Sequence, residues 1–199
     1  MPRLLLATTN KGKAAEYRDL LKGLDFKIVT LDHAGISCEA EESYNTFEEN
    51  ARHKAAFYAK LGGLLTLADD SGLEVDALGG EPGVRSSRYA GDNATDQDRV
   101  NFLLNKLKDV SQSKRTARFR CVIAVARPGG AVETVEGTCE GYIAMEPRGN
   151  NGFGYDPVFF LPEYGKTIAE LAPEIKNRIS HRGRAAALAR GILIKIATP

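Results

Sequence analysis

Two adjacent carboxylates, Asp69 and Asp70, follow the apolar run 64–68 and precede Ser71-Gly72. Like charges so close repel unless something neutralises one of them. The charges that could do this are sorted by sign along the chain. Residues 39–49 hold Glu39, Glu41, Glu42, Glu48 and Glu49 and no base, and residues 69–76 hold Asp69, Asp70, Glu74 and Asp76 and no base. From Lys176 onward come Lys176, Arg178, Arg182, Arg184, Arg190 and Lys195 with no acid, and Lys11 and Lys13 lie near the N-terminus. An acidic pool suits a cation and a basic pool an anion. Converging, they would suit a polyphosphate carried on a divalent metal. Hard oxygen ligands select Mg²⁺, which takes one or two carboxylates, keeps several waters and binds phosphate oxygens. Runs of like charge are also commonly solvated faces, and composition leaves both readings open.

Two segments could grip phosphate. Thr8-Thr9-Asn10-Lys11-Gly12-Lys13 places hydroxyls, backbone N–H groups and two lysines where a helix begins, and a helix N-terminus favours anions. Simple capping by Thr or Asn accounts for part of the same pattern. The loop 149–156 sets Gly149, Gly152 and Gly154 around Phe153 and Tyr155. Glycines allow close backbone approach, and either ring could stack on a base or pack into a core. Ser180-His181-Arg182 opens the last helix with hydrogen-bond donors. Gly165-Lys166-Thr167 mimics the end of a P-loop, but position 160 is Phe where that motif requires Gly. No H-E-x-x-H, G-x-S-x-G or C-x-x-C occurs.

The elements that must carry these residues follow from hydrophobic period and turn formers. A strand over 4–7 leads through Thr8–Asn10 into a helix with Ala14, Tyr17, Leu21 and Leu24 on one face, then a strand over 26–31. Thr46 and Glu49 have capping-box spacing at the head of a helix that Gly62-Gly63 ends. A buried strand over 64–68 is expected to deliver Asp69–Gly72 at its C-terminal end, where α/β sheets bind ligands. A helix over 95–107 precedes a hairpin of two strands, 116–126 and 132–144, turning at Pro128-Gly129-Gly130. The closing helix, 180–196, should bury Ala185, Leu188, Ala189 and Ile192. The expected fold is α/β, a mixed central sheet with flanking helices, in two lobes with a nucleotide cleft between them, and residues 1–199 forming a single two-lobed domain.

Composition narrows the class further. The chain has 199 residues and a formal net charge of +1, which argues against a binder of bulk nucleic acid or of an anionic membrane surface. No stretch approaches the ~18 apolar residues of a membrane span, and the short apolar start reads as a strand rather than a signal peptide. Cys38, Cys121 and Cys139 are odd in number and widely spaced, as expected of reduced thiols in a cytoplasmic protein.

Taken together, these residues resemble the inosine triphosphate pyrophosphatase family over nearly the whole chain. The motifs stand in the family's order: Thr8-Thr9-Asn10-Lys11-Gly12-Lys13; Thr46-Phe47-Glu48-Glu49-Asn50-Ala51 with Lys54; Ala68-Asp69-Asp70-Ser71-Gly72-Leu73; Gly152-Phe153-Gly154-Tyr155-Asp156-Pro157; and Ser180-His181-Arg182-Gly183. The resemblance implies a homodimeric enzyme that cleaves ITP, dITP or XTP between the α- and β-phosphates with Mg²⁺, releasing the monophosphate and pyrophosphate. It also implies roles. Glu42 and Asp70 would hold Mg²⁺; Asp70 would activate water, with Asp69 orienting the metal shell. Lys13, Lys54 and the 8–13 turn, Lys11 and Gly12 included, would grip the triphosphate. Ser71 would touch substrate, and Phe153 would stack on the base beside Gly154 and Tyr155. Asp156, Lys176, His181 and Arg182 would surround the base edge, with Arg182 rewarding the 6-keto oxygen. A nucleotide-binding regulatory module without turnover, and a housecleaning phosphatase releasing orthophosphate, are the competing functions.

Overall fold

A computed structural model describes residues 1–197. Among them seven strands form one sheet in the order β2-β1-β3-β4-β5-β6-β7. The strands are β1 (Arg3–Leu6), β2 (Lys27–Thr30), β3 (Leu65–Val75), β4 (Thr116–Ala126), β5 (Val132–Ile143), β6 (Phe159–Leu161) and β7 (Lys166–Thr167). β1 runs parallel to both neighbours, with Leu5 opposite Val29 on one side and Thr66 on the other. β5, β6 and β7 pair antiparallel in turn. The helices are α1 (Lys11–Leu20), α2 (Phe47–Gly62), α3 (Asp96–Lys106), α4 (Pro173–Ile179) and α5 (His181–Ala197). The class is the mixed α/β fold expected from the sequence.

The chain divides into two compact units. Unit 1 takes residues 1–70, 121–137 and Arg182 onward; unit 2 takes 71–120 and 138–181. The core of unit 1 gathers Leu4, Leu6, Tyr17, Leu21, Phe26, Leu67, Ile123, Val125, Ala185, Ala189 and Leu193. That of unit 2 gathers Leu73, Val75, Leu103, Leu107, Phe119, Ile143, Tyr155 and Phe159. Each large aliphatic side chain so buried contributes roughly 1.5–3 kcal/mol, the background against which buried charges are tolerated.

Local chemistry sets the element ends. Asn10 caps α1, its side chain accepting from the Lys13 N–H at 3.0 Å. Thr46 caps α2: its hydroxyl accepts from the Glu49 N–H at 3.1 Å and donates to the Glu49 carboxylate at 2.7 Å. Gly63, at φ +61, closes α2 in the left-handed conformation that a side chain would strain. Full reciprocal capping boxes lie instead at Thr95 and Asp98, at the head of α3, and at Thr167 and Glu170.

Two expectations are corrected. β3 does not stop at Ala68. It continues through Asp69-Asp70-Ser71-Gly72 to Val75, because Leu73 and Val75 restore a buried alternation that outweighs the turn preference of Ser-Gly. The acids therefore sit inside a strand rather than beyond its end. On α5, Leu188 is 54% exposed and the inner face is Ala185, Ala186, Ala189 and Leu193; the small alanines let that face approach its neighbours closely. The sequence pattern predicts no element where β6, β7 and α4 lie; they have three, two and seven residues, too short to show a hydrophobic period.

Candidate active site

Successive strand residues face opposite sides of a sheet, so Asp69 and Asp70 meet different surroundings. The Asp69 carboxylate is buried and lies 3.0 Å from the Lys13 ammonium on α1 and 3.6 Å from Arg182 Nε on α5. The Cys121 thiol on β4 donates to it at 3.7 Å. Burial pushes this carboxyl up, but Lys13, Arg182 and Lys54 outweigh burial and hold it far below the usual range. Asp70 is also buried, yet burial wins there. Lys54 and Lys13 pull its pKa down, Glu42 and Asp69 push it up, and it stands at about 6. One acid is a fixed anion; the other is poised to exchange a proton.

Lys54 comes from α2 and pairs with Glu42 of the acidic 39–49 segment. Burial lowers the Lys54 pKa, but the charges of Glu42, Asp70 and Asp69 outweigh it and hold the ammonium above its ordinary value. Of the acidic run, Glu42 is the half-buried member, while Glu39, Glu41, Glu48 and Glu49 are exposed. Unit 1 thus brings together Lys13, Glu42, Lys54, Asp69, Asp70 and Arg182. Its Thr8–Lys13 turn is built for the head of α1: Thr8 Oγ1 accepts from the Asn10 N–H at 3.2 Å, Thr9 and Lys11 are exposed, Gly12 is half-buried, and no acid lies in the first helical turn.

Among the described residues, no group of three or more His, Cys, Asp or Glu side chains could hold a metal by itself. Two carboxylates, Glu42 and Asp70, act on each other's surroundings, with Asp70 held protonatable by burial and by the Glu42 and Asp69 charges. Burial makes the ionised Asp70 costly, which a divalent cation would relieve, and two carboxylates match a Mg²⁺ that keeps waters and phosphate oxygens as its other ligands. The donor set fits.

Unit 2 assembles a second group. Lys176 on α4 pairs with Asp156, and its ammonium stands 4.7 Å from the centre of the half-buried Phe153 ring. Asp156 also accepts from the Phe153 N–H at 2.9 Å, and the Gly154 N–H donates to Asp96 at 2.7 Å. Gly152, at φ +77, cannot be replaced freely: a Cβ there would stand 2.0 Å from the Asp156 carboxylate. Ser71 is half-buried on β3.

Three of the expected substrate contacts have partners within their own unit. Tyr155 lies in the core of unit 2, its hydroxyl donating to the Ser86 carbonyl at 2.9 Å; the tight glycine loop turns its ring inward. His181 is buried and stacks on Phe119 with ring centres 4.6 Å apart. Arg182 is buried in unit 1, with Nη1 at 2.7 Å from Glu16 and Nε facing Asp69. Its charge is thus engaged with carboxylates of unit 1. Glu16 was not among the expected residues, although it lies three positions after Lys13 on α1 and so shares its face. Neither was Asp96, whose position at the head of α3 gives no hint of the 154 backbone. Cys121 and Tyr17, whose hydroxyl lies 3.8 Å from the Cys121 sulfur, look like ordinary core residues in the sequence.

The match to known proteins runs along almost all of these elements. Residues 4–191 match the Ham1 family. A dITP/XTP pyrophosphatase of Desulforamulus reducens is 52% identical over 194 residues, covering 98% of this chain and 96% of that protein. The dITP/XTP pyrophosphatase of Bacillus subtilis is 48% identical over 185 residues, 93% of each chain. Among solved structures, a HAM1 protein from Coxiella burnetii agrees with a TM-score of 0.89 at 46% identity, covering 98% of this chain and all of that one (100%). A nucleoside-triphosphatase, or dITP/XTP pyrophosphatase, from Mycobacterium abscessus gives 0.76 at 41% identity, over 94% and 98% of the two chains. Sequence and fold agree from β1 into α5, and the chain belongs to the Ham1 family.

Proposed function

We propose that this protein hydrolyses ITP, dITP and XTP to the nucleoside monophosphate and pyrophosphate, removing deaminated purines from the nucleotide pool. The observation that carries the reading is the unit 1 assembly: a buried carboxylate at pKa about 6, Asp70, beside Glu42 and within the field of two lysines, Lys13 and Lys54. The relatives named dITP/XTP pyrophosphatase, at about half identity over nearly their full length, support the substrate class.

Glu42 and Asp70 would hold Mg²⁺, which when bound there neutralises phosphate charge and lowers the pKa of a nearby water. Lys13, Lys54 and the Thr8–Lys13 turn at the head of α1 would grip the triphosphate and stabilise the charge that grows on the departing pyrophosphate. Asp70 would take the proton from the attacking water as the water oxygen bonds to phosphorus and the P–O bond of the α–β bridge breaks. Asp69, kept anionic by Lys13 and Arg182, would hold Lys13 in place. In unit 2, Phe153 offers a ring for the base, and Lys176 a donor. The 6-keto oxygen of hypoxanthine and xanthine accepts from such a donor, whereas the amino group of adenine leaves it unmatched.

Cys38, Cys121 and Cys139, none of them in a disulfide, suit a reducing cytoplasm, where we place the enzyme. Among the described residues no helix is long and apolar enough to cross a membrane. A homodimer is the expected assembly, to be checked by sedimentation. The deciding experiment incubates the protein with Mg²⁺ and each of ITP, dITP, XTP, GTP and ATP and separates the products. Pyrophosphate with the monophosphate from the first three is the expected result. Orthophosphate alone would make the protein a phosphatase of another kind, and no turnover would make it a binding module.

A further inference from the structure

The acidic segment that carries Glu42 has no helix or strand of its own over residues 36–44, yet three side chains of α2 hold it. Asn50, buried, accepts from the Tyr44 N–H at 3.1 Å and donates to the Tyr44 carbonyl at 3.2 Å. Lys54 pairs with Glu42. The buried Tyr58 hydroxyl accepts from the Ala40 N–H at 3.1 Å and donates to the Cys38 carbonyl at 3.2 Å.

The spacing explains why the three contacts coexist. Residues 50, 54 and 58 follow one another at i+4 and share a face of α2. Each step advances the helix by about 6.0 Å. The partners step back in twos, 44, 42 and 40, and an extended chain advances about 6.6 Å over two residues. The two ladders are commensurate, so the segment runs antiparallel to α2. In its middle Ala40 and Glu42 are half-buried while Glu39 and Glu41 are exposed; at its ends Cys38 and Tyr44 are exposed and are held through their backbone. Two rungs, at Asn50 and Tyr58, bracket the one that holds Glu42, and both grip backbone, so they constrain where the chain places Glu42 whatever the other side chains are.

We propose that Asn50 and Tyr58 are positioning residues for Glu42: a clamp on α2 that presents this carboxylate for metal before metal arrives. The clamp rests on the reading of Glu42 as a metal ligand, and its test is built to fail separately from that reading. Tyr58→Phe keeps the ring and removes both hydrogen bonds; Asn50→Ala serves as the second variant should the first not fold.

Amide exchange is measured first, on the metal-free protein. Exchange at Ala40 should rise about tenfold in Tyr58→Phe, and at Tyr44 in Asn50→Ala, with the amides of α2 little changed. Pyrophosphate release is then titrated with Mg²⁺ at saturating ITP. The Mg²⁺ concentration for half-maximal rate should rise about three- to tenfold, while kcat at saturating Mg²⁺ stays within about twofold of the parent. Unchanged exchange at both amides overturns the clamp. So does a loosened segment with an unchanged Mg²⁺ requirement, or a fall in kcat that saturating Mg²⁺ does not restore, because each shows that the contacts are structural only. If the parent protein releases no pyrophosphate at any Mg²⁺ concentration, the hydrolase reading fails instead, and exchange alone still decides whether the clamp exists.

Discussion

The two faces of β3 present the same functional group in opposite states. On one, Asp69 meets Lys13, Arg182 and the Cys121 thiol, and its carboxyl is held far below the usual range. On the other, burial keeps Asp70 near pKa 6 even though Lys54 and Lys13 oppose it. Neither identity nor sequence neighbours separate these residues; the strand's alternation does. A carboxylate supplied with partners by the protein serves structure. One whose burial outweighs the charges around it is costly when ionised and is for that reason available to a proton or a cation.

The contrast can be broken at either residue. Asp70→Asn should lower kcat by about 10²- to 10⁴-fold, the range for a lost general base. The same change should raise the stability of the metal-free protein at pH 8 by up to about 3 kcal/mol, the equivalent of a pKa raised from 3.8 to about 6. Asp69→Asn should do the reverse to the fold. It strips Lys13 and Arg182 of a buried counter-charge, a loss of roughly 3–5 kcal/mol. Urea unfolding of both variants beside a pyrophosphate assay measures each. Equal destabilisation by the two substitutions would dissolve the distinction between the faces.

How much of this could be read from the chain varies from residue to residue. Asp69-Asp70 and Lys13 stand out because paired acids and a lysine-bearing helix start have few innocent explanations. The α/β class follows from strand and helix periods long enough to count. Other features depend on tertiary contacts that leave no local trace. Ser71-Gly72 has turn chemistry, yet the packing of Leu73 and Val75 draws it into β3. Arg182 lies in a basic run that looks ready for an anion, but Glu16, 166 positions away, claims it inside unit 1. Tyr155 and Phe153 are equivalent aromatics in one loop, and only the folded loop sends Tyr155 to the Ser86 carbonyl and leaves Phe153 beside Lys176.

A pH titration of stability tests the contrast without mutating Asp69. Because the folded pKa of Asp70 is raised, the folded state binds the extra proton between pH 3.8 and about 6. Its contribution to stability is full below the unfolded value and is lost as pH rises through the folded one, a change of up to about 3 kcal/mol. Asp69, depressed, acts in the other direction: its contribution is present above 3.8 and is lost only as pH falls below that. Metal-free protein should therefore lose stability from pH 4 to pH 6 relative to Asp70→Asn, and the two curves should run parallel above pH 7. Curves parallel throughout would mean that Asp70 is an ordinary carboxylate.

The smallest expected effect asks whether the faces are independent. The Cys121 thiol lies 3.7 Å from the Asp69 carboxylate and is itself pushed up to about 12, chiefly by burial and then by that carboxylate's charge. A thiol is a weak donor, and Lys13 at 3.0 Å already neutralises the same oxygen. Cys121→Ala should therefore cost only about 1–2 kcal/mol, from the small cavity and the lost contact, and Cys121→Ser should recover part of it. Neither variant should alter the stability change between pH 4 and pH 6, because Asp70 lies on the other face and the thiol is not among the main influences on it. If Cys121→Ala moved that step by a pH unit, the thiol would be transmitting between the acids, and Asp69 would owe its fixed charge to a network shared with Asp70 rather than to the lysine and arginine beside it.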